Sequence, residues 1–331
     1  MLNTHFLYLL GHLRLLEEQH SVTSLRRSGI GLIGTSIHNQ PYIHAVKCSA
    51  HHSELVSVCD IAPPLPSMSY FMYQKQQIEA LVNNDDVDCI IMTAVCSDEL
   101  LKFTINAAIA AGKDILLNNI PSFNEKELEE LFIKAIRNDV LIDYSQALTF
   151  EDSFNQIKHV LHTQNKLETG LLRLSAHRVI EPENRLPFNI LRGTITQKIE
   201  LLLTLLPDFS FSTASIQFSH PFAKMEDGDV LIINLRHKGG LLISFELFFN
   251  TGNISDKLSL KQCNQSYEVE NKVLFNPQRQ QLNEKNTIFK QIDQFILKLH
   301  GGTKLTQPAH WARTNELTNE ILKQLYDEGF I

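Results

Sequence analysis

Gly29-Ile30-Gly31-Leu32-Ile33-Gly34-Thr35-Ser36-Ile37-His38-Asn39 is the stretch on which the fold turns. As a bare pattern its glycines match G-x-G-x-x-G, but Ile30 to Ile33 has the apolar, β-branched texture of the strand itself. Gly34 is then the first glycine of a strand-to-helix turn, with Ser36 and Asn39 at the second and third glycine positions. In a dinucleotide turn the first glycine makes the bend, the second lets backbone reach a pyrophosphate, and the third lets helix pack on strand. Serine in the second place is tolerated, at the cost of bulk beside the phosphate. Pro41 adds a constraint. A helix running from Ser36 would set its ring against the Ile37 carbonyl, so the sequence favours a helix capped by Asn39 with Pro41 in its first turn. The cluster stands out because the chain is glycine-poor, with 14 glycines in 331 residues against a usual ~7%.

Working outward, the next strand signal ends at Asp60, 26 residues after Gly34. A carboxylate there can bond ribose hydroxyls and repel a 2′-phosphate. Ile61-Ala62-Pro63-Pro64 follows, with no arginine to receive that phosphate, so NAD is favoured over NADP. Gly34, Thr35, Ser36, Ile37 and Asp60 are the cofactor-binding candidates of this segment.

Strand signals at 30–33, 55–59, 89–93, 115–117 and 140–144 alternate with helical periodicity, the pattern of a parallel sheet wrapped by helices. A helix over 100–111 stops at Gly112, and Ser122-Phe123-Asn124-Glu125 reads as a capping box for the next. Only 12 residues separate Asp60 from Tyr73, which leaves little room there for a crossover helix. Beyond residue 150 the texture changes. Helices near 151–162 and 195–206 flank strand-rich chain, and Lys238-Gly239-Gly240 joins 229–235 to 241–247 as a hairpin. Further strands are expected at 257–260, 267–269 and 273–275, and helices at 288–299 and 309–326. The expected organisation is a helical extension over 1–27, centred on an amphipathic stretch at 6–16, then a dinucleotide-binding domain over 28–147. A second α/β domain over 148–331 includes the closing helices at 286–326.

Composition sets the exclusions. With 30 Lys+Arg against 37 Asp+Glu the net charge is −7, which offers no footprint for a phosphate backbone. No uncharged apolar run approaches 18 residues, so no membrane-spanning helix is expected. Five cysteines form no C-x-x-C pair, which fits a reducing, cytoplasmic setting. His51-His52 and His159-x-x-His162 lack a third ligand nearby, so no metal site is expected.

Several segments together resemble the glucose–fructose oxidoreductase, inositol dehydrogenase and MocA-type (Gfo/Idh/MocA) oxidoreductases. They are Gly34-Thr35-Ser36, residues 55–60, Asp86-Val87-Asp88-Cys89-Ile90-Ile91, and Ala110-Ala111-Gly112-Lys113-Asp114-Ile115-Leu116. The resemblance continues through Phe150-Glu151-Asp152-Ser153-Phe154, Ile157-Lys158 and the closing helices, covering roughly 28–330. It implies an α/β fold: an N-terminal Rossmann-type doubly wound parallel sheet, then a domain with an open, mostly antiparallel sheet. It also implies hydride transfer between a nicotinamide and a sugar-like or other small carbonyl or hydroxyl substrate, in a homo-oligomer joined through the second sheet.

The same resemblance locates the chemistry. The family's Glu-Lys-Pro segment maps to Asn118, Asn119 and Ile120, with Pro121 one place late. Its lysine assists proton transfer, whereas Asn119 can donate a hydrogen bond but no proton. The second cluster maps to Arg192-Gly193, with Gln197 for its Asp and Leu201 for its His. The Thr-Pro beside the nicotinamide maps to Thr93-Ala94. Thr93 and Asn118 thereby join the cofactor-binding candidates. Weak replacements for the lost acid–base group are Lys198, Tyr144 and Asn119; the plain readings are a solvated helix face for Lys198 and Glu200 and strand-end packing for Tyr144. The alternative to an oxidoreductase is a catalytically inactive descendant that binds a nucleotide, a ligand or a protein.

Overall fold

A computed structural model describes residues 27–49, 53–61, 68–93, 97–118, 120–144, 147–163, 170–178, 187–218, 230–249, 254–262, 265–273, 287–300 and 308–329. The helix expected at 6–16, the strand residues 274–275 and Asn119 lie outside them.

The first half is a parallel sheet in the order β2-β1-β3-β4-β5. Its strands are β1 (Ser28–Gly34), β2 (Ser53–Asp60), β3 (Cys89–Met92), β4 (Asp114–Leu117) and β5 (Ile142–Tyr144). The connecting helices are α1 (Ser36–Cys48), α2 (Met68–Val82), α3 (Asp98–Ala110) and α4 (Glu125–Arg137). Apart from Ser28 and Asp114 at their starts, β1, β3 and β4 are apolar and buried, because helices cover both faces of the sheet.

The second half is a six-stranded sheet in the order β11-β10-β6-β9-β8-β7, antiparallel except between β6 and β9. It comprises β6 (Leu171–Arg178), β7 (Phe211–Phe218), β8 (Val230–His237), β9 (Leu242–Phe249), β10 (Ile254–Gln262) and β11 (Gln265–Val273). Helices α5 (Asp152–Thr163) and α6 (Pro187–Leu205) belong to this half, and α7 (Thr287–His300) and α8 (Pro308–Asp327) follow it. The fold is therefore mixed α/β with one parallel and one mostly antiparallel sheet.

Four local expectations are corrected. The helix after Gly34 starts at Ser36, with Thr35 as N-cap and Pro41 inside it; Asn39 is no cap but a buried residue of the second turn. Proline removes one intrahelical hydrogen bond there, and packing of Tyr42, Ala45 and Val46 on the sheet outweighs that loss. The crossover after β2 is a full helix, α2, that runs through Tyr73 rather than ending before it. The capping box of α4 is Asn124 with Glu127, two residues later than the Ser-x-x-Glu pattern, and both its hydrogen bonds form. Finally α6 begins eight residues before the periodicity suggests.

Three apolar clusters hold the molecule. One lies between the six-stranded sheet and α5, α6 and α8. The others cover the two faces of the parallel sheet: α2, α3 and α4 on one, α1 and α7 on the other. Thus α7, assigned from sequence to the second domain, packs Ile288, Ile292, Phe295 and Ile296 on the first sheet. Helix α8 contributes to both halves, with Trp311 edge-on to Phe132 of α4 at 5.4 Å and Leu317, Ile321, Leu322 and Leu325 in the second-domain core.

Candidate nucleotide cleft

The chain leaves β1 for β2 on one side and returns to β3 on the other, so β1 and β3 diverge in connection at their carboxyl ends. In open α/β sheets ligands bind at such a switch point. Gly34 stands there, in register with Asp60, and Ile61 donates its amide to the Gly34 carbonyl at 2.9 Å. Asn39 Nδ2 donates to the same carbonyl at 3.0 Å, and Thr93 Oγ1 donates to Asn39 Oδ1 at 2.6 Å. A Cβ on Gly34 would lie 1.9 Å from Thr93 Oγ1 and 2.8 Å from Asn39 Oδ1, so only glycine fits.

Helix α1 opens at this edge. Thr35 is extended, at φ −82° and ψ 157°, and its side chain makes no capping bond. The first-turn amides therefore receive no side-chain acceptor from their N-cap, and with the helix dipole they suit an anion. Ser36 Oγ donates to Asp60 Oδ2 at 2.7 Å, while Asp60 Oδ1 makes no hydrogen bond among the described residues and the residue is exposed. Gly34, Thr35, Ser36, Asp60 and Thr93 are thus brought together. Ile37 follows in the first turn of α1.

No family model matches the sequence, and no curated protein matches it. Solved structures do match in fold. A scyllo-inositol dehydrogenase from Lactobacillus casei superposes with TM-score 0.63 at 10% identity, over 89% of this chain and 95% of its own. GenD2 from gentamicin A biosynthesis, in complex with NAD, gives 0.61 at 11% identity over 91% and 95%. A biliverdin reductase from Synechocystis sp. PCC 6803, in complex with biliverdin and NADP+, gives 0.59 at 13% identity over 89% and 98%. The fold is that of the Gfo/Idh/MocA-type dehydrogenases.

In this fold, the described positions that sequence reading expects to carry chemistry are engaged in packing or in bonds between elements. Asn118, at the end of β4, does not face the Gly34 turn through its amide: Nδ2 donates to the Tyr42 hydroxyl at 2.8 Å, and Oδ1 accepts from Gln291 Nε2 at 3.4 Å. Tyr42 in turn donates to Gln291 Oε1 at 3.2 Å, and burial pushes its hydroxyl up to about 12. The Asn118 carbonyl accepts from Gln197 Nε2 at 3.0 Å, which ties β4 to α6. Leu201 is buried in the second-domain core.

Lys198 is not a solvated side chain. It is fully buried and ion-paired with Asp256 of β10, on the side of α6 that faces the second sheet. Glu200, read from sequence as solvated, is buried too, paired with His310 and accepting from Thr314 Oγ1 at 3.3 Å. Helix α6 has no solvated face here because α8 and the second sheet enclose it. Tyr144 is half-buried and packs against the cluster on the α2–α4 face of the parallel sheet. Sequence reading missed Tyr42 and Gln291 and gave Asn39 the role of a cap. The only signal for Asn39 is its place at the third glycine position, where an amide rather than hydrogen meets the strand.

Among the described residues no group of three or more His, Cys, Asp or Glu stands close enough to hold a metal. No described helix is long and apolar enough to cross a membrane.

Proposed function

We propose that this chain binds a nicotinamide dinucleotide, NAD in preference to NADP, and acts as an oxidoreductase on a small sugar-like or other carbonyl or hydroxyl compound. One observation carries the reading: the Gly34 turn, the uncapped start of α1 and the Asp60 carboxylate stand together at the switch point. The residues fit the group. Amides of the α1 first turn would hold its pyrophosphate, and Asp60 Oδ1 would accept from a ribose hydroxyl with Ser36 steadying the carboxylate. A bound nicotinamide supplies or accepts a hydride. Full-length matches in complex with NAD and with NADP+ support the assignment.

A second reading has an observation of its own. Asn118, at the Glu of the Glu-Lys-Pro segment, and Gln197 and Leu201, at the positions of the second cluster's Asp and His, are engaged in packing or in bonds between elements. They favour a protein that retains the nucleotide and has lost hydride transfer. In either case we expect a cytoplasmic homo-oligomer joined through the six-stranded sheet, with no nucleic-acid partner, in keeping with a net charge of −7.

A thermal-shift titration with NAD(H) and NADP(H) tests the binding. A nucleotide at 100 times its Kd adds about 2.7 kcal/mol. No shift with either up to millimolar concentration excludes the cofactor. Where a shift is seen, absorbance at the reduced-nicotinamide band across sugars and cyclitols separates the two readings.

A further inference from the structure

Asp98 opens α3 just beyond β3, and Ser122 lies in the loop beyond β4, so both stand at the carboxyl edge of the parallel sheet. Arg192 of α6 reaches the same place. Its Nη2 donates to Asn315 Oδ1 of α8 at 3.0 Å. Its Nη1 lies 3.6 Å from Asp98 Oδ1, close enough for an ion pair but beyond a hydrogen bond, and among the described residues it has no acceptor. Asn315 Nδ2 has none among them either. Two buried donors are thus unmatched side by side on one Arg–Asn pair, although buried N–H groups are almost always satisfied.

Asp98 cannot close on the guanidinium as a two-point partner. Its Oδ2 accepts from the Ser122 amide at 3.2 Å, and it sits in the first turn of α3, where the helix dipole already offsets its charge. Arg192 is consequently under-compensated: burial lowers its affinity for the proton by more than Asp98 restores. The pair meets solvent mainly through Asp98, whose side chain is 31% exposed against 5% for Arg192. A vacant guanidinium N–H is matched by a carboxylate oxygen in a charge-assisted hydrogen bond, and a neighbouring amide N–H by the second oxygen.

We propose that Arg192, with Asn315, anchors the carboxylate of a small organic acid at the edge of the cleft. The substrate of the proposed oxidoreductase is then a hydroxy or keto acid or a sugar acid rather than a neutral polyol. The inference rests on the proposed function for the use of the cleft, but the binding it describes is measured without nucleotide.

The test pairs D-glucuronate with D-glucose and L-lactate with propane-1,2-diol, each titrated into the full chain with and without NAD(H) and followed by thermal shift. At least one acid is expected to bind tenfold or more tightly than its neutral counterpart. Asn315→Asp, nearly isosteric, places an internal carboxylate on Arg192 and should abolish that preference while keeping the fold. Asp98→Asn removes the competing charge and should tighten acid binding several-fold. Arg192→Gln should lose it, and if that variant does not fold the other two decide. Equal response to acid and neutral probes, or no response to any with and without nucleotide, overturns the proposal. So do variants that change only stability, the result expected if a buried water bridges the two donors. Acid binding in a chain that takes no nucleotide removes the cofactor reading and leaves this one standing.

Discussion

The Thr93 hydroxyl donates to Asn39 Oδ1 at 2.6 Å directly above Gly34, and both side chains occupy the space where a Cβ would stand. Gly34 is not among the left-handed glycines, so its requirement is steric rather than conformational. Gly34→Ala is expected to destabilise by about 2–3 kcal/mol, the range of an overpacked core. Denaturant unfolding measures it. Adding Thr93→Ala should recover part of the loss, because the nearest clashing atom is then gone.

Asp60 faces the turn through Ser36. Asp60→Ala removes the charged acceptor offered to a ribose hydroxyl, an interaction of roughly 1.5–3 kcal/mol. NAD affinity should fall tenfold or more, and discrimination against NADP should shrink because the repelling carboxylate is gone. Titrating both nucleotides against both proteins checks it; unchanged affinities would remove Asp60 from the site.

Lys198 and Asp256 are an unequal pair: the lysine side chain is fully buried and that of the aspartate 26% exposed. Removing either partner takes away the opposite charge that faces the other. Asp256→Ala removes a carboxylate from a fully buried ammonium and should cost about 3–5 kcal/mol. Lys198→Met removes the ammonium from a carboxylate that reaches water and should cost less, about 2 kcal/mol. Neither should alter nucleotide affinity. The reverse order in urea melts would contradict the packing described for α6.

Burial pushes the Tyr42 hydroxyl in the folded chain from its ordinary 10.0 up to about 12. The fold favours the neutral hydroxyl, so the contribution is complete below pH 10. It is lost as pH rises towards 12, because the unfolded chain releases that proton first. The loss is roughly 2–3 kcal/mol at the top of the window. Tyr42→Phe should flatten the part of the stability profile between pH 10 and 12 that belongs to this residue, which urea melts across that range will show.

The alternation of strand and helix signals made the parallel sheet legible, down to Gly112 at the end of α3, and the Lys238–Gly240 hairpin of the second sheet, whereas β6 and β7 were not placed individually. Those features are local, and local chemistry writes them. Pro41 misled because propensity weighs one residue, whereas the start of α1 is decided by three apolar side chains docking on a sheet. Lys198 and Glu200 misled for a related reason. Periodicity assigns a helix one wet face, and residues 191–205 of α6 show none, since Asp256, His310 and Thr314 come to it from distant parts of the chain. The Arg192–Asn315 contact is equally invisible in sequence, joining α6 to α8 across 123 positions.

The parallel sheet takes part of its cover from α7, and its α2–α4 face receives Trp311 of α8, both from far along the chain. During synthesis the half that carries the Gly34 turn therefore emerges from the ribosome with one face lacking Ile288, Ile292, Phe295 and Ile296. That face is covered only after α7 has been made, so the first sheet to be translated waits for the closing helices to complete its packing.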